Sequence, residues 1–249
     1  MIYIGDRDDF YEEGVSPRQR RVFVLRWNPS ISSFTRNDFE EYFGRLKGVI
    51  PSNSKPDDLW TIWDWKEVMH RDLFVMMLVG QEVNGIVWGG FLGGMPFQFE
   101  DEKGNLSQSH YIEMTTMYMH RIENTGMLTA EKLIKEIPEV DWLHGHSGEL
   151  ISVESAEKLG LLLVKELKDV KESDDIFFDS FCDKKYVLND ILTFMCPELK
   201  SRLIAMGRNT CKTTDNVDEL MIQIQDEDYS NWDKIEEHLV LDELNGIML

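Results

Sequence analysis

Two apolar runs constrain this chain more than any other feature: residues 73–79 (LFVMMLV) and residues 85–92 (GIVWGGFL), joined by a polar stretch bounded by Gly80 and Gly85. Each is too short for an ordinary globular helix, rich in branched and aromatic residues, and bordered by turn formers, so the pair predicts a β-hairpin. Successive side chains of a strand point to opposite faces. A strand that is apolar at every position therefore needs cover on both sides, as a barrel or a sandwich gives. Four of the seven tryptophans, Trp60, Trp63, Trp65 and Trp88, lie in or just before this hairpin.

Composition sets the outer bounds. With 249 residues, 42% of them hydrophobic, the chain can build a real core as one large domain or one domain with a smaller companion. It contains no apolar run long enough to span a membrane, and its N-terminus is acidic rather than basic-then-apolar, so neither a membrane span nor a signal peptide is expected. Cys182, Cys196 and Cys211 are odd in number and widely spaced, which fits a reducing, cytoplasmic location better than a disulfide framework. The net charge of -20 comes from 46 acids against 26 bases, and residues 171–249 hold 18 acids against 8 bases. Proteins that track a nucleic-acid backbone need the opposite bulk charge.

Along the chain, residues 1–20 lack periodicity and read as an N-terminal arm, whose basic end (RQRR, 18–21) is either a solvated strand entrance or a phosphate contact. Residues 22–27 (VFVLRW) read as a strand ended by Asn28-Pro29, since proline cannot donate to a ladder. Thr35 opens a capping-box-like T-R-N-D, predicting a helix with Phe39, Tyr42 and Phe43 on its inner face and an end at Gly44 or Gly48. Residues 50–58 read as a loop. Residues 93–96 (GGMP) are expected to break the second hairpin strand, and residues 98–109 form a polar excursion with its tip at Lys103-Gly104.

Residues 110–120 (HYIEMTTMYMH) read as a long strand that roughly alternates, with Tyr111, Glu113, Thr115, Met117 and Met119 on one face and His110, Ile112, Met114, Thr116, Tyr118 and His120 on the other. Thr129 starts a helix that Pro138 stops, with Leu133, Ile134 and Ile137 as its buried stripe; Ser152 or Ser155 opens another that runs to about Lys168. After a candidate linker at 171–175 (KESDD), residues 176–249 are expected to form a small, acidic, mostly helical subdomain. Its helices would run through Val187, Ile191 and Met195, from Pro197 to Gly207, and from Ser230 to Gly246.

Few motifs carry chemistry. Trp60, Trp63 and Trp65 fall within six residues, which suits either core packing or a ring lining a ligand pocket. His144-x-His146 offers two imidazoles, yet no third ligand stands nearby, so no metal site is expected. Gly145-His146-Ser147-Gly148 approaches a nucleophile elbow, but Glu149 occupies the place of the second glycine. Those loop residues are the candidates for an enzymatic reading. Glu113, inside an apolar strand, is the best single polar group to aim into a pocket or toward solvent. No phosphate-binding glycine loop joins a strand to a helix, so no cofactor is expected.

In order along the chain come Trp27-Asn28-Pro29 after a strand, a short helix following FTRND (34–38), the Trp segment at 60–65, a short polar turn, and Arg71-Asp72 opening the run at 73–79. Gly85-Ile86-Val87-Trp88-Gly89 and the Tyr-centred strand at 110–113 (HYIE) come next. This succession, over residues 21–150, resembles the EVE domain of the PUA-like barrel superfamily. In that family a Ser-Glu-Pro-like turn, a short helix, a Trp-containing segment, a Gly-Asp pair and a Gly-Ile-Val-Gly strand stand in these places. Here Asn28 replaces the acidic residue of the turn, Arg71 the glycine of the pair, and Trp88 a small residue of the strand.

The resemblance implies a PUA-like β-barrel with flanking helices over residues 21–168; with the acidic helical subdomain read at 176–249, which has no counterpart in that family, the expected fold class is α+β. The resemblance also implies recognition of RNA or of modified bases in DNA through an aromatic-lined pocket, where stacking and edge hydrogen bonds carry selectivity. Trp27, Trp60, Trp63, Trp65 and Trp88 become the stacking candidates, and Asn28, Asp64 and Glu113 the edge partners. Arg18, Arg20, Arg21, Arg26 and Arg71 would supply a basic patch. The expected function is a non-enzymatic binding module for a nucleobase, nucleotide or modified nucleic acid. The alternative is an acidic interaction or regulatory protein, with the barrel as scaffold and the helical tail meeting a protein partner.

Overall fold

The computed structural model describes residues 20–48, 59–101, 103–122, 128–170, 175–178 and 184–197. The arm at 1–19, the loop at 50–58, most of the linker and the expected helices beyond Pro197 lie outside the described residues.

Among the described residues seven strands make one mixed, strongly curled sheet, a half-barrel: β1 (Val22–Trp27), β2 (Leu59–Thr61), β3 (Leu73–Leu78), β4 (Gly85–Phe97), β5 (Tyr111–His120), β6 (Glu149–Leu150) and β7 (Ile176–Phe178). Their order is β2-β5-β4-β3-β1-β6. β7 shares the outer edge of β5 with β2, which pairs along Tyr111 to Glu113 while β7 pairs along Tyr118 to His120. The expected hairpin is the antiparallel β3–β4 pair. β1 runs parallel to β3 with Val22 opposite Leu73, so the chain must cross over between them. The crossover carries α1 (Arg36–Leu46), capped by Thr35 and Asp38 in a reciprocal capping box.

Both faces of the sheet are covered, as the all-apolar strands require. Phe23, Leu25 and Trp27 of β1 face the inside of the curl with Phe74, Met76 and Leu78 of β3, and α1 adds Phe39, Tyr42 and Phe43. Val22, Val24, Val75 and Met77 face outward onto α2 (Ala130–Glu136), α3 (Val153–Asp169) and α4 (Lys184–Met195). Each fully buried Phe on these faces contributes roughly 1.5–3 kcal/mol. No described helix is long and apolar enough to cross a membrane.

Three expectations need correction. β4 does not break at residues 93–96 but continues to Phe97. Gly93 lies opposite Glu113 and Phe97 opposite Tyr111, so the residues between bulge out. Pro96 is tolerated there because a bulge leaves it no ladder bond to make. β5 does not alternate throughout. Gly89 lies opposite Tyr118 and Gly90 opposite Thr116, which makes Met117 an extra residue. This bulge shifts the pleat, so Ile112, Met114 and Thr116 face inward before it and Met119 faces inward after it, while Met117 and Tyr118 join the outer core. Ile134 is 44% exposed, outside the stripe of α2 that Leu133 and Ile137 form. Of residues 176–249 the described part packs on the sheet: β7 pairs with β5, and Val187, Ile191 and Met195 of α4 join the outer cluster.

Candidate functional site where the sheet edges meet

The curl brings the two ends of the strand order together, and the segment after β2 is stitched to the loop before β6. Trp63 N–H donates to Ser147 O and Asp64 N–H to Gly148 O, each at 3.0 Å. Leu150 N–H returns a bond to Asp64 Oδ2 at 2.7 Å. The Ser147 hydroxyl is the pivot, accepting from Trp60 Nε1 at 2.8 Å and from Arg26 N at 2.9 Å. Gly148 has φ +86°, and a Cβ there would stand 2.5 Å from Ile62 Cα, so only glycine fits this seam.

Arg26 explains the shape of the loop. Alternation in β1 puts Trp27 inside the curl and Arg26 outside, where its guanidinium is buried. A buried charge needs a partner and its remaining hydrogen bonds met. The chain supplies Glu149 at 2.8 Å and the carbonyls of His146 and Asp141 to the two terminal nitrogens, leaving only Nε without a partner, so residues 141–149 fold around the guanidinium. Gly145 lacks a side chain where one would run into both Arg26 and Glu149. Asp141 turns the start of the loop by accepting from the N–H groups of His144 and Leu143, and the His144 bond foremost holds its carboxyl below the usual range.

On this frame lie two indole–imidazole stacks. Trp63, 57% exposed, rests flat on His146, with ring centroids 3.6 Å apart and planes within 9°. Trp65 rests on His110 at 3.8 Å and 10°, with Lys66 Nζ 5.4 Å from the indole centre. One segment thus carries two indoles whose orientation is set by imidazoles from two other parts of the chain. An exposed indole held flat is a surface on which a planar group stacks, worth about 1–3 kcal/mol per base in proteins that use it.

The other candidate residues stand elsewhere. Trp27 is fully buried, stacked on Phe39 at 4.7 Å, and its Nε1–H donates to Phe34 O at 2.7 Å. Trp88 is also fully buried, with its Nε1–H on Thr116 Oγ1 at 2.9 Å. Trp60 is buried and committed to Ser147. Asn28 Oδ1 accepts from Ser30 N–H at 3.0 Å and closes the turn after β1. Glu113 is exposed on the outward face of β5. His144, His146 and Ser147 turn to different partners, respectively Asp141, Trp63, and the Arg26–Trp60 pair. Among the described residues no group of His, Cys, Asp and Glu is placed to hold a metal ion. Of the expected basic patch, Arg26 is withdrawn into the loop and Arg21 pairs with Glu67 at 2.9 Å.

Sequence reading overlooked His110 and the loop-organising role of Arg26. Arg26 had a signal, a cation in a strand otherwise apolar at every position. His110 had none, because Trp65 lies far from it in sequence and only the β2–β5 pairing brings them together. Comparison with family models, with curated proteins and with solved structures returned no match to this chain.

Proposed function

We propose that this chain is a non-enzymatic binding module that takes a planar ligand, a nucleobase or its modified form, on the exposed face of Trp63. The observation that carries this reading is the Trp63–His146 stack: an indole more than half exposed, yet fixed in plane by an imidazole and in position by the backbone bonds of Trp63 to Ser147 and of Asp64 to Gly148. Preorganised aromatic surface of this kind binds without a large ordering cost. Asp64 lies beside it with Oδ2 committed to Leu150, leaving its other oxygen to accept from a ring N–H. A site next to Asp64, Asp141 and Glu149 in a chain of net charge -20 suits a base better than a phosphate.

The finer fold reading, an EVE-like member of the PUA-like superfamily, gains support from one backbone angle. Arg71 stands where that family has glycine, and among the described residues it is the non-glycine residue with positive φ, at 65°. That conformation costs an ordinary L-residue about 1–2 kcal/mol, so the path that favours glycine persists under arginine. The neighbouring Asp72 is buried and holds the turn by accepting from Met69 N–H at 2.7 Å and Arg21 N–H at 3.2 Å.

The test is a titration of tryptophan fluorescence with free nucleobases, nucleosides and short modified oligonucleotides, at low and moderate salt, in the native chain and in Trp63→Ala. A saturable change that survives salt and is lost in Trp63→Ala is expected. No saturable change with any of them, or an undiminished change in the variant, sinks the reading.

A further inference from the structure

We propose that the outward face of the sheet at the β2–β5–β4 end is a docking surface for a protein segment in which Lys or Arg residues alternate with apolar ones. The helices cover the outward face only in part. β5 is buried on both faces from Thr116 onward, but Glu113 and Thr115 are exposed and Tyr111 half-buried on its outward side. Register shows which residues share that open face: Thr61 lies opposite Tyr111 and Leu59 opposite Glu113 on β2, and Phe97 lies opposite Tyr111 on β4. Directly opposed residues in a ladder present their side chains on one face.

Aromatic rings dominate this surface. Phe99 meets Phe97 at 5.3 Å and Tyr111 at 4.7 Å, both edge to face, while Phe97 and Phe99 remain 36% and 47% exposed. An exposed cluster of large rings marks an interaction surface more often than a solvated one. The cluster is also rigidly built. Ser107 N–H donates to Phe99 O at 2.7 Å, Phe99 N–H to Ser107 Oγ at 3.0 Å, and Asp101 Oδ1 accepts from the N–H groups of Lys103 and Asn105.

Charge decides the occupant. Residues 98–109 hold Glu100, Asp101 and Glu102 against Lys103 alone, and Glu113 sits within the open face. Aromatic edges and faces beside carboxylates favour guanidinium and ammonium groups through cation–π and ionic contact together. Apolar side chains of the same segment then cover Phe97 and Phe99. Among the described residues no ring contact joins Phe97, Phe99 or Tyr111 to Trp63, so this proposal and the base-binding one are tested independently.

The probe is a short fluorescent peptide of alternating Arg and Leu, with Arg/Ser and Glu/Leu peptides as controls, followed by anisotropy at low and moderate salt. The proteins are the full native chain, Phe97→Ser/Phe99→Ser, Glu113→Lys and Trp63→Ala, each checked for an unchanged melting transition. Binding of the Arg/Leu peptide should weaken at least about tenfold in the first two variants, as at an interface centre, and stay unchanged in Trp63→Ala. Equal binding of the Arg/Ser peptide, equal binding by the surface variants, or no binding overturns the proposal, the first two as bulk charge attraction. A native dimer that the double variant converts to monomer on sedimentation also overturns it, in favour of a second copy.

Discussion

The tryptophans inside the curl and those at the meeting of its edges are the same side chain put to opposite uses. Trp88 is enclosed by Tyr42, Phe39 and Phe74, and its N–H is spent on Thr116, whose hydroxyl also bonds Tyr42 Oη at 3.0 Å. Trp63 is held just as firmly in orientation, by His146, but its outer face is left to solvent. The first arrangement meets every demand of the indole within the protein. The second leaves one unmet, and an aromatic face that is fixed but uncovered is where a ligand gains most.

The widest separation between the two regions should come from Trp88→Ala, which leaves a cavity inside both sheet and helix and should cost roughly 3–5 kcal/mol in denaturant unfolding. A loss under about 1 kcal/mol would mean that the inner ring is not packed as described. Histidines allow a second contrast, because His120 is buried with its Nε2 unpartnered while His144 and His146 lie in the open. Burial pushes the His120 pKa down to about 4, against about 6.5 in the unfolded chain. Below pH 6.5 the unfolded state takes up a proton that the folded state refuses, so stability falls as pH drops from about 6.5 to 4, by roughly 3 kcal/mol in all. His120→Phe should flatten that part of the profile; identical profiles for the two proteins would contradict a buried neutral ring.

Thr116→Val sharpens the comparison at a single oxygen. It strands the Trp88 N–H and removes the Tyr42 bond to Thr116 Oγ1, and should cost about 1–3 kcal/mol, whereas Thr115→Val on the exposed side of the same strand should stay within about 0.5 kcal/mol. Equal effects for the two threonines would erase the distinction between the faces. Trp63→Ala should likewise change stability by no more than about 0.5 kcal/mol by thermal melting. The same variant carries the largest expected loss of base binding. A large destabilisation instead would make Trp63 part of the scaffold.

Much of the scaffold was legible. The two apolar runs required cover on both faces, and the sheet has it, with α1 inside and α2, α3 and α4 outside. Thr35 and Thr129 cap the helices they were expected to open, and Ser152, one of two candidates, caps α3. Local chemistry sufficed there, since a cap needs only the next three residues. The bulges in β4 and β5 were not legible, because an extra residue in a strand is defined by its neighbour's register and not by its own sequence. The candidate site was legible in part. The cluster of indoles announced Trp63 and Trp65 along with Trp60, but nothing local separated the open rings from the closed one.

The sequence by itself determined the kind of surface each segment needs: two-sided apolar strands, capped amphipathic helices, an acidic chain with most of its tryptophans in or just before one hairpin. Hydrophobic periodicity and capping act over a few residues, so they can be read without a fold. Only the tertiary structure decided which tryptophan stays open, that His146 and His110 lie beneath Trp63 and Trp65, and that Arg26 gathers the loop beside them. Those facts depend on pairings between distant strands and on how far the sheet curls before its edges meet, and exposure is a property of that closure rather than of any residue in it.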